Sequence, residues 1–363
     1  MSSSGRRWVP ARDHCPRGQA LRAGTTALYQ ACFIALLALT AFAGSARAQE
    51  ASPYAIDIPP WFVETFLDFR EDIADAAKDG RRVMVYFGQD GCPYCRQLMV
   101  TNFSQRNIVD KTRRHFVAIA LNIWGDREVT WLDGRTMSEK ALARVLDVQF
   151  TPTLLFFDEK GNVVARLNGY YPPQKFEAVL DYVAGKNERR ETLAAYMAHR
   201  TTRAANATLA VEPFFMKPPY VLTRKSGGKP LAVVFETPNC DGCDEMHNEM
   251  FRRPDVAAQL ARFDVARFGL GARTDVTTPE GTKVKADAWA RDLGVTYTPT
   301  IVFFDAGGRE VFRVDAYMRG FHFVSAFDYV ASGAYRSEPS FQRFIVARAE
   351  RLRNGGERVD LWE

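Results

Sequence analysis

Histidine and cysteine are scarce in this chain, at five and six residues among 363. No glycine-rich phosphate loop, Ser–His–Asp set or zinc-protease helix appears, so phosphoryl transfer, triad hydrolysis and zinc proteolysis have no motif to rest on. Most of the chain also lacks an excess of either charge. The formal net charge is +5, but the first 48 residues hold six Lys/Arg and a single Asp, and beyond them basic and acidic residues are equal in number. Nothing there argues for nucleic acid as a partner.

That N-terminal stretch reads as a separate object. Arg6, Arg7, Arg12, Arg17 and Arg22 form a basic lead, Ala27 to Ala43 is nearly all apolar, and Ala46-Arg47-Ala48 has the small-x-small form of a cleavage site. Residues 1–48 are expected to be a secretory signal cut before Gln49. The alternative is an uncleaved anchor, since the run nears the ~18 residues of a membrane span. Trp8-Val9-Pro10 fits a twin-arginine signal poorly, and Cys32 sits inside the apolar run, which argues against a lipoprotein. With the leader go Cys15 and Cys32, and the other cysteines form two C-x-x-C pairs with none spare. Export places them where disulfides persist, and the expected compartment is the periplasm.

The first pair, Cys92-Pro93-Tyr94-Cys95, follows the apolar run Val83–Phe87 and precedes a helix-capable segment running to about Asn102. That order predicts a strand, a tight turn and a helix start, with Cys92 at the helix mouth. Unpaired N–H groups and the helix dipole there favour a thiolate. The first cysteine of such a turn falls to a pKa of roughly 3.5–7.5. Cys95, one turn on, can resolve a mixed disulfide by attacking Cys92. Pro93 withholds one N–H and Tyr94 adds an aromatic rim.

Around this turn the expected elements are a helix over 61–78 ended by Asp79-Gly80, strands at 83–87 and 116–123, a turn at Asp133-Gly134, a short helix from Ser138 to Leu146, strands at 154–158 and 163–167, and a helix over 174–184. The order then repeats. Leu231–Phe235 matches the first strand, Cys240-Asp241-Gly242-Cys243 the first turn, and Tyr297-Thr298-Pro299-Thr300 matches Phe150-Thr151-Pro152-Thr153. The offset is 148 at the cysteines and 147 at the prolines, which marks a tandem duplication. The expected divisions are a first domain over 49–186, a linking helix over 187–209, a second domain over 210–336, and a C-terminal helix and tail over 337–363. In that helix Phe341, Phe344, Ile345 and Leu352 share a face, suited to packing on its own domain or docking on a partner.

Each half resembles the thioredoxin superfamily: a strand, a C-x-x-C helix start, and Thr-Pro-Thr entering the next core strand. The resemblance implies an α/β fold of two tandem thioredoxin-like domains, each a mixed central sheet flanked by helices. It implies that Pro152 and Pro299 follow cis bonds and face the first cysteines. Thr151, Pro152, Thr298 and Pro299, with Pro93 and Tyr94, would then border a client. More narrowly, the first half resembles periplasmic thioredoxins of the SoxW kind, which would suggest sulfur-oxidation or cytochrome-maturation clients. Two departures stand out. Tyr86 and Val234 occupy the positions six before the first cysteines, where thioredoxin has a buried Asp, and Ala120 replaces a strand Lys; the usual internal base for Cys95 is missing.

The expected function is a periplasmic thiol–disulfide oxidoreductase, more a reductase than an oxidase, acting through Cys92, Cys95, Cys240 and Cys243 on exported proteins with disulfides or thiols. It needs no cofactor and takes electrons from a membrane or periplasmic donor. Asp241, Asp244 and Glu245 crowd the second turn with like charge, which disfavours a thiolate at Cys240 and makes that half the stronger reductant. The alternatives are a disulfide-stapled client-binding factor and a metallochaperone using Cys240, Cys243 and His247, with Met246 as a fourth ligand for copper. His247 is read as a solvated residue of the helix face, and no metal site is expected.

Overall fold

The computed structural model describes residues 55–200, 209–238, 240–295, 297–315 and 318–361. The expected leader, Thr201–Thr208 of the expected linker, and the last two residues lie outside them. The described parts of both halves fall within one compact unit.

In the first half the elements are α1 (Phe69–Lys78), β1 (Arg82–Gly88), α2 (Pro93–Gln97, continued by a wider π-helical turn over Leu98–Asn102), α3 (Arg106–His115), β2 (Phe116–Asn122), the hairpin β3 (Glu128–Thr130) and β4 (Thr136–Ser138), α4 (Glu139–Val145), β5 (Thr153–Phe157), β6 (Val163–Asn168) and α5 (Pro173–Ala184). The sheet order is β2-β1-β5-β6, with β1 parallel to β2 and antiparallel to β5. β1 is buried along its whole length, because its two faces serve two cores. Val83, Val85 and Phe87 meet Phe69, Ile73 and Leu142 from α1 and α4. Met84 and Tyr86 meet Leu98, Ile108, Phe176 and Val179 from α2, α3 and α5.

A short 3₁₀ turn (Asn187–Arg189) and α6 (Leu193–Arg200) follow. Arg82 pins this exit to the sheet: it is buried, donates to the Val183 carbonyl at 2.7 Å, and pairs with Glu159 and Glu188. The second half contains β7 (Tyr220–Val221), β8 (Leu231–Glu236), α7 (Asp241–Glu245, continued by a π-helical turn over Met246–Met250), α8 (Pro254–Leu260), β9 (Asp264–Gly269), β10 (Asp275–Thr277), β11 (Lys283–Lys285), α9 (Ala286–Asp292), β12 (Thr300–Phe304), β13 (Glu310–Val314), α10 (Gly320–Ala331) and α11 (Phe341–Asn354). Its main sheet, β9-β8-β12-β13, repeats the first.

Three expectations are corrected. The helix expected over 61–78 begins only at Phe69. Asp68 caps it, accepting the N–H groups of Arg70 and Glu71. Upstream, Phe62 turns back onto the Pro59 carbonyl, Val63 donates to Ala118 of β2, and Phe66 is fully exposed. The repeat is also incomplete: among the described residues the second half has no counterpart of α1, and β7 pairs with β10 in that region. Finally, α3 was not anticipated, because its sequence RNIVDKTRRH buries only Ile108 and Thr112.

Candidate active site

β1 delivers the chain into the turn, and Gly91 takes φ +73°, a conformation that favours glycine. Cys92 caps α2, its Sγ accepting the N–H of Cys95 at 3.0 Å. Cys92 and Cys95 are joined as a disulfide with their Cα atoms 5.2 Å apart. In the reduced chain that same N–H and the helix start would hold a thiolate. The Cys92 Sγ lies 3.3 Å from the Thr151 carbonyl oxygen, and Thr151–Pro152 is cis. The second turn repeats this: Cys240 caps α7, accepts the N–H of Cys243 at 3.1 Å and is bonded to Cys243, and Thr298–Pro299 is cis.

Beneath the turns the halves differ. Glu236 ends β8 at the register position of Gly88, and Val234 stands where Tyr86 is. A Cβ on Gly88 would overlap the Tyr86 phenol, so in the first half Tyr86 fills this space. In the second half Glu236 extends into it and is 1% exposed. His247, one helical turn beyond Cys243, lies between two carboxylates: Nε2 is 2.8 Å from Glu236 and Nδ1 2.9 Å from Glu212. His247 is therefore buried, not the solvated helix-face residue expected. Two facing carboxylates favour a ring with both nitrogens protonated. Burial pushes its pKa down, but the hydrogen bonds to Glu236 and Glu212 outweigh it and raise the value. Arg252 adds a bidentate contact to Glu212. With both ring nitrogens engaged by Glu236 and Glu212, His247 does not offer a free nitrogen beside Cys240 and Cys243. Among the described residues no cluster suited to a metal is present.

The two turns lie on the face where the halves meet. Phe150 of the first half packs into the second half's core beside Phe312 and Phe341. Tyr297, its counterpart at the repeat offset, packs against Tyr171 of the first half. Asn168 donates to both carboxylate oxygens of Asp315, again its own counterpart, at 2.7 Å. The Tyr94 ring meets His322 edge-on at 5.2 Å, and its hydroxyl accepts the Arg319 N–H at 3.4 Å. Arg319 in turn pairs with Glu245 beside the second turn. Lys175, the counterpart of His322, is held below the usual ammonium range by burial, against the pull of Asp241 and Glu245. The acidic crowding at Cys240 is thus offset in part by two cations that are distant in sequence.

α11 closes the arrangement. Phe341, Phe344 and Ile345 pack on the second half, while Gln342 reaches the first. It donates to the Gln149 carbonyl at 2.9 Å and accepts from Gln89 at 2.8 Å, and Gln89 also donates to Thr151 Oγ1 at 3.1 Å. Cys92, Pro93, Thr151 and Pro152 are all buried, Cys92 to 5% exposure. In the second half Pro299 is buried and Thr298 half-buried, bonded to Thr237 at 2.9 Å.

The family model of the thioredoxin-like domain matches residues 69–184 and 222–331, more than half of the chain. The chain belongs to the thioredoxin-like family. With a C-x-x-C pair at the helix start of each domain, it is a thiol–disulfide oxidoreductase. No curated protein matches it significantly in sequence. Similar solved structures include a thioredoxin-fold protein from Helicobacter pylori, 27% identical over 34% of this chain and 86% of that one, with a TM-score of 0.30. A thioredoxin from Thermus thermophilus is 30% identical over 33% and 85%, with a TM-score of 0.26. The C-terminal domain of DsbD from Neisseria meningitidis is 16% identical over 31% and 90%, with a TM-score of 0.24.

Sequence reading of these thioredoxin-like domains missed Glu212, Glu236, Lys175, His322 and Gln342. Three of them carried a signal. Glu236 is the only charge in the strand LAVVFE, and a carboxylate there needs a buried partner. Lys175 and His322 stand at the same repeat offset as the prolines. Gln342 carried none, because nothing local to α11 points to the first domain.

Proposed function

We propose that this chain is an exported, periplasmic disulfide reductase in which Cys92 is the attacking thiolate and Cys95 the resolving thiol. The observation that carries the reading is the Cys95 N–H aimed at Cys92 Sγ at the start of α2, which stabilises negative charge on that sulfur in the reduced chain. Cys240 and Cys243 serve as the donor pair. Asp241 and Glu245 beside Cys240 oppose a thiolate there, and the chain Tyr94–Arg319–Glu245 links the two turns. Electrons pass from the second pair to the first by exchange: the Cys240 thiolate attacks Cys92 Sγ and displaces Cys95, Cys243 then attacks Cys240 Sγ and releases Cys92, and the reduced first pair goes on to substrate. The basic-apolar leader ending in Ala46-Arg47-Ala48 supports export.

The test is a redox titration of each pair in the full chain, read by mass-mapping of alkylated peptides. A reductase requires both pairs near thioredoxin's roughly −270 mV, the second lower than the first; values near roughly −120 mV for Cys92–Cys95 would make the chain an oxidant instead. In parallel, Cys95→Ser should accumulate a mixed disulfide at Cys92, and Cys92→Ser should accumulate none.

A further inference from the structure

The oxidoreductase reading leaves the substrate class open, and the closed interface narrows it. A thiolate displaces sulfur in line with the S–S bond it breaks, so an incoming disulfide must reach Cys92 Sγ directly. A disulfide held in a polypeptide would bring its strand along the edge at residues 150–152, where backbone groups can pair. That edge is taken. Phe150 is buried in the second domain's core, and Gln342 of α11 donates to the Gln149 carbonyl and accepts from Gln89, which also donates to Thr151 Oγ1. Beside Cys92 there remains a cavity of about 200 Å³, walled by Pro93, Tyr94 and Tyr170 from one domain and His322, Phe341 and Val346 from the other. It opens on a groove of about 1310 Å³ between residues 55–59 and the tail at 358–361, and the two share Gly91, Cys92, Pro93, Val346 and Leu361. Pockets for drug-sized ligands run to roughly 300–1,000 Å³, so this cavity suits a smaller molecule against Cys92; the groove is wide enough to be its way in, and what denies a polypeptide strand is the covered edge at 150–152.

We propose that in this closed arrangement Cys92 takes low-molecular-weight disulfides, of about the size of cystine, and excludes disulfides held in a polypeptide strand. The Cys92 thiolate bonds to one sulfur of R–S–S–R, that S–S bond breaks, and RS⁻ leaves. Cys95 then gives up its proton and attacks Cys92 Sγ, releasing the second RS⁻. The two thiol protons end on the two RSH products. The two electrons come from the Cys92–Cys95 dithiol, which finishes as a disulfide.

In the test, the full-length chain carrying Cys240→Ser and Cys243→Ser, so that no second pair refills the first, is reduced, freed of reductant and mixed with cystine or with insulin at equal disulfide concentration. Acid quenching and peptide mass-mapping then read the oxidised fraction at Cys92–Cys95. Cystine should oxidise this pair about 100-fold faster than insulin. Val346 is 57% exposed on α11, so Val346→Trp narrows the cavity without touching a core; it should slow the cystine reaction about tenfold with unchanged thermal melting. Comparable rates with cystine and insulin, or a Val346→Trp chain that reacts like the parent, would overturn the proposal. Oxidation of Cys92–Cys95 by neither compound would instead overturn the oxidoreductase reading on which it rests.

Discussion

Tyr86 with Gly88, and Val234 with Glu236, are two solutions to one space under a C-x-x-C turn. The first fills it with a phenol, whose hydroxyl is buried without a hydrogen-bond partner among the described residues. The second fills it with a carboxylate, and that choice obliges a cation. His247 supplies it, so removing His247 strands Glu236. His247→Leu should destabilise the fold by about 3–5 kcal/mol, measured by urea unfolding at pH 6, as for other buried pairs broken from one side. The pH dependence has a definite sign. The folded-state pKa of His247 is raised, so its stabilisation is fully present below the unfolded value of about 6.5 and is lost as pH rises through the folded value. Urea midpoints taken across this window should fall with rising pH in the parent and flatten in the variant.

At the level of elements, local signals and tertiary ones divided cleanly. α1 is set by its cap: Asp68→Ala should cost about 1 kcal/mol, read as a lower urea midpoint with unchanged slope. An equal loss from a substitution at Phe66, which the expected longer helix would bury, would contradict this boundary. β1, β2, β5, β8, β9 and β12 were legible because strands buried on both faces read as continuous apolar runs, and both turns were legible because proline, glycine and cysteine constrain their own backbone. α3 was not, since it buries two residues of ten. Nor was the early end of the run at 61–67, where Phe62 and Phe66 keep helical spacing while the chain pairs with β2 instead. Within the site, the four cysteines and the two Thr-Pro segments could be read directly. The groups that surround them, Gln342 above Thr151 and Lys175 beside Asp241, come from more than a hundred residues and from sixty-six residues away respectively, and no local pattern announces such a pairing.

For the whole molecule, the interface holds a second buried histidine of opposite sign. Burial alone lowers His322 to about 4, and its Nδ1 has no hydrogen-bond partner among the described residues. Tyr94 faces its ring, and the nearby Arg319 offers a like charge. The closed form therefore keeps its full advantage above about pH 6.5 and loses it as pH falls toward 4, by on the order of 3 kcal/mol. Small-angle scattering should show the radius of gyration growing over that range, and His322→Phe should suppress the growth. The reciprocal seating of Phe150 and Tyr297 has a consequence of a different kind. Each packs against the other half's core, and Asn168 meets its own counterpart Asp315; that reciprocity is the signature of a two-fold dimer, here carried on one polypeptide. A true dimer would fall apart on dilution by mass action. Tethered copies instead see each other at an effective concentration on the order of millimolar, so the pairing that shields both disulfides is independent of how much of the protein a cell makes.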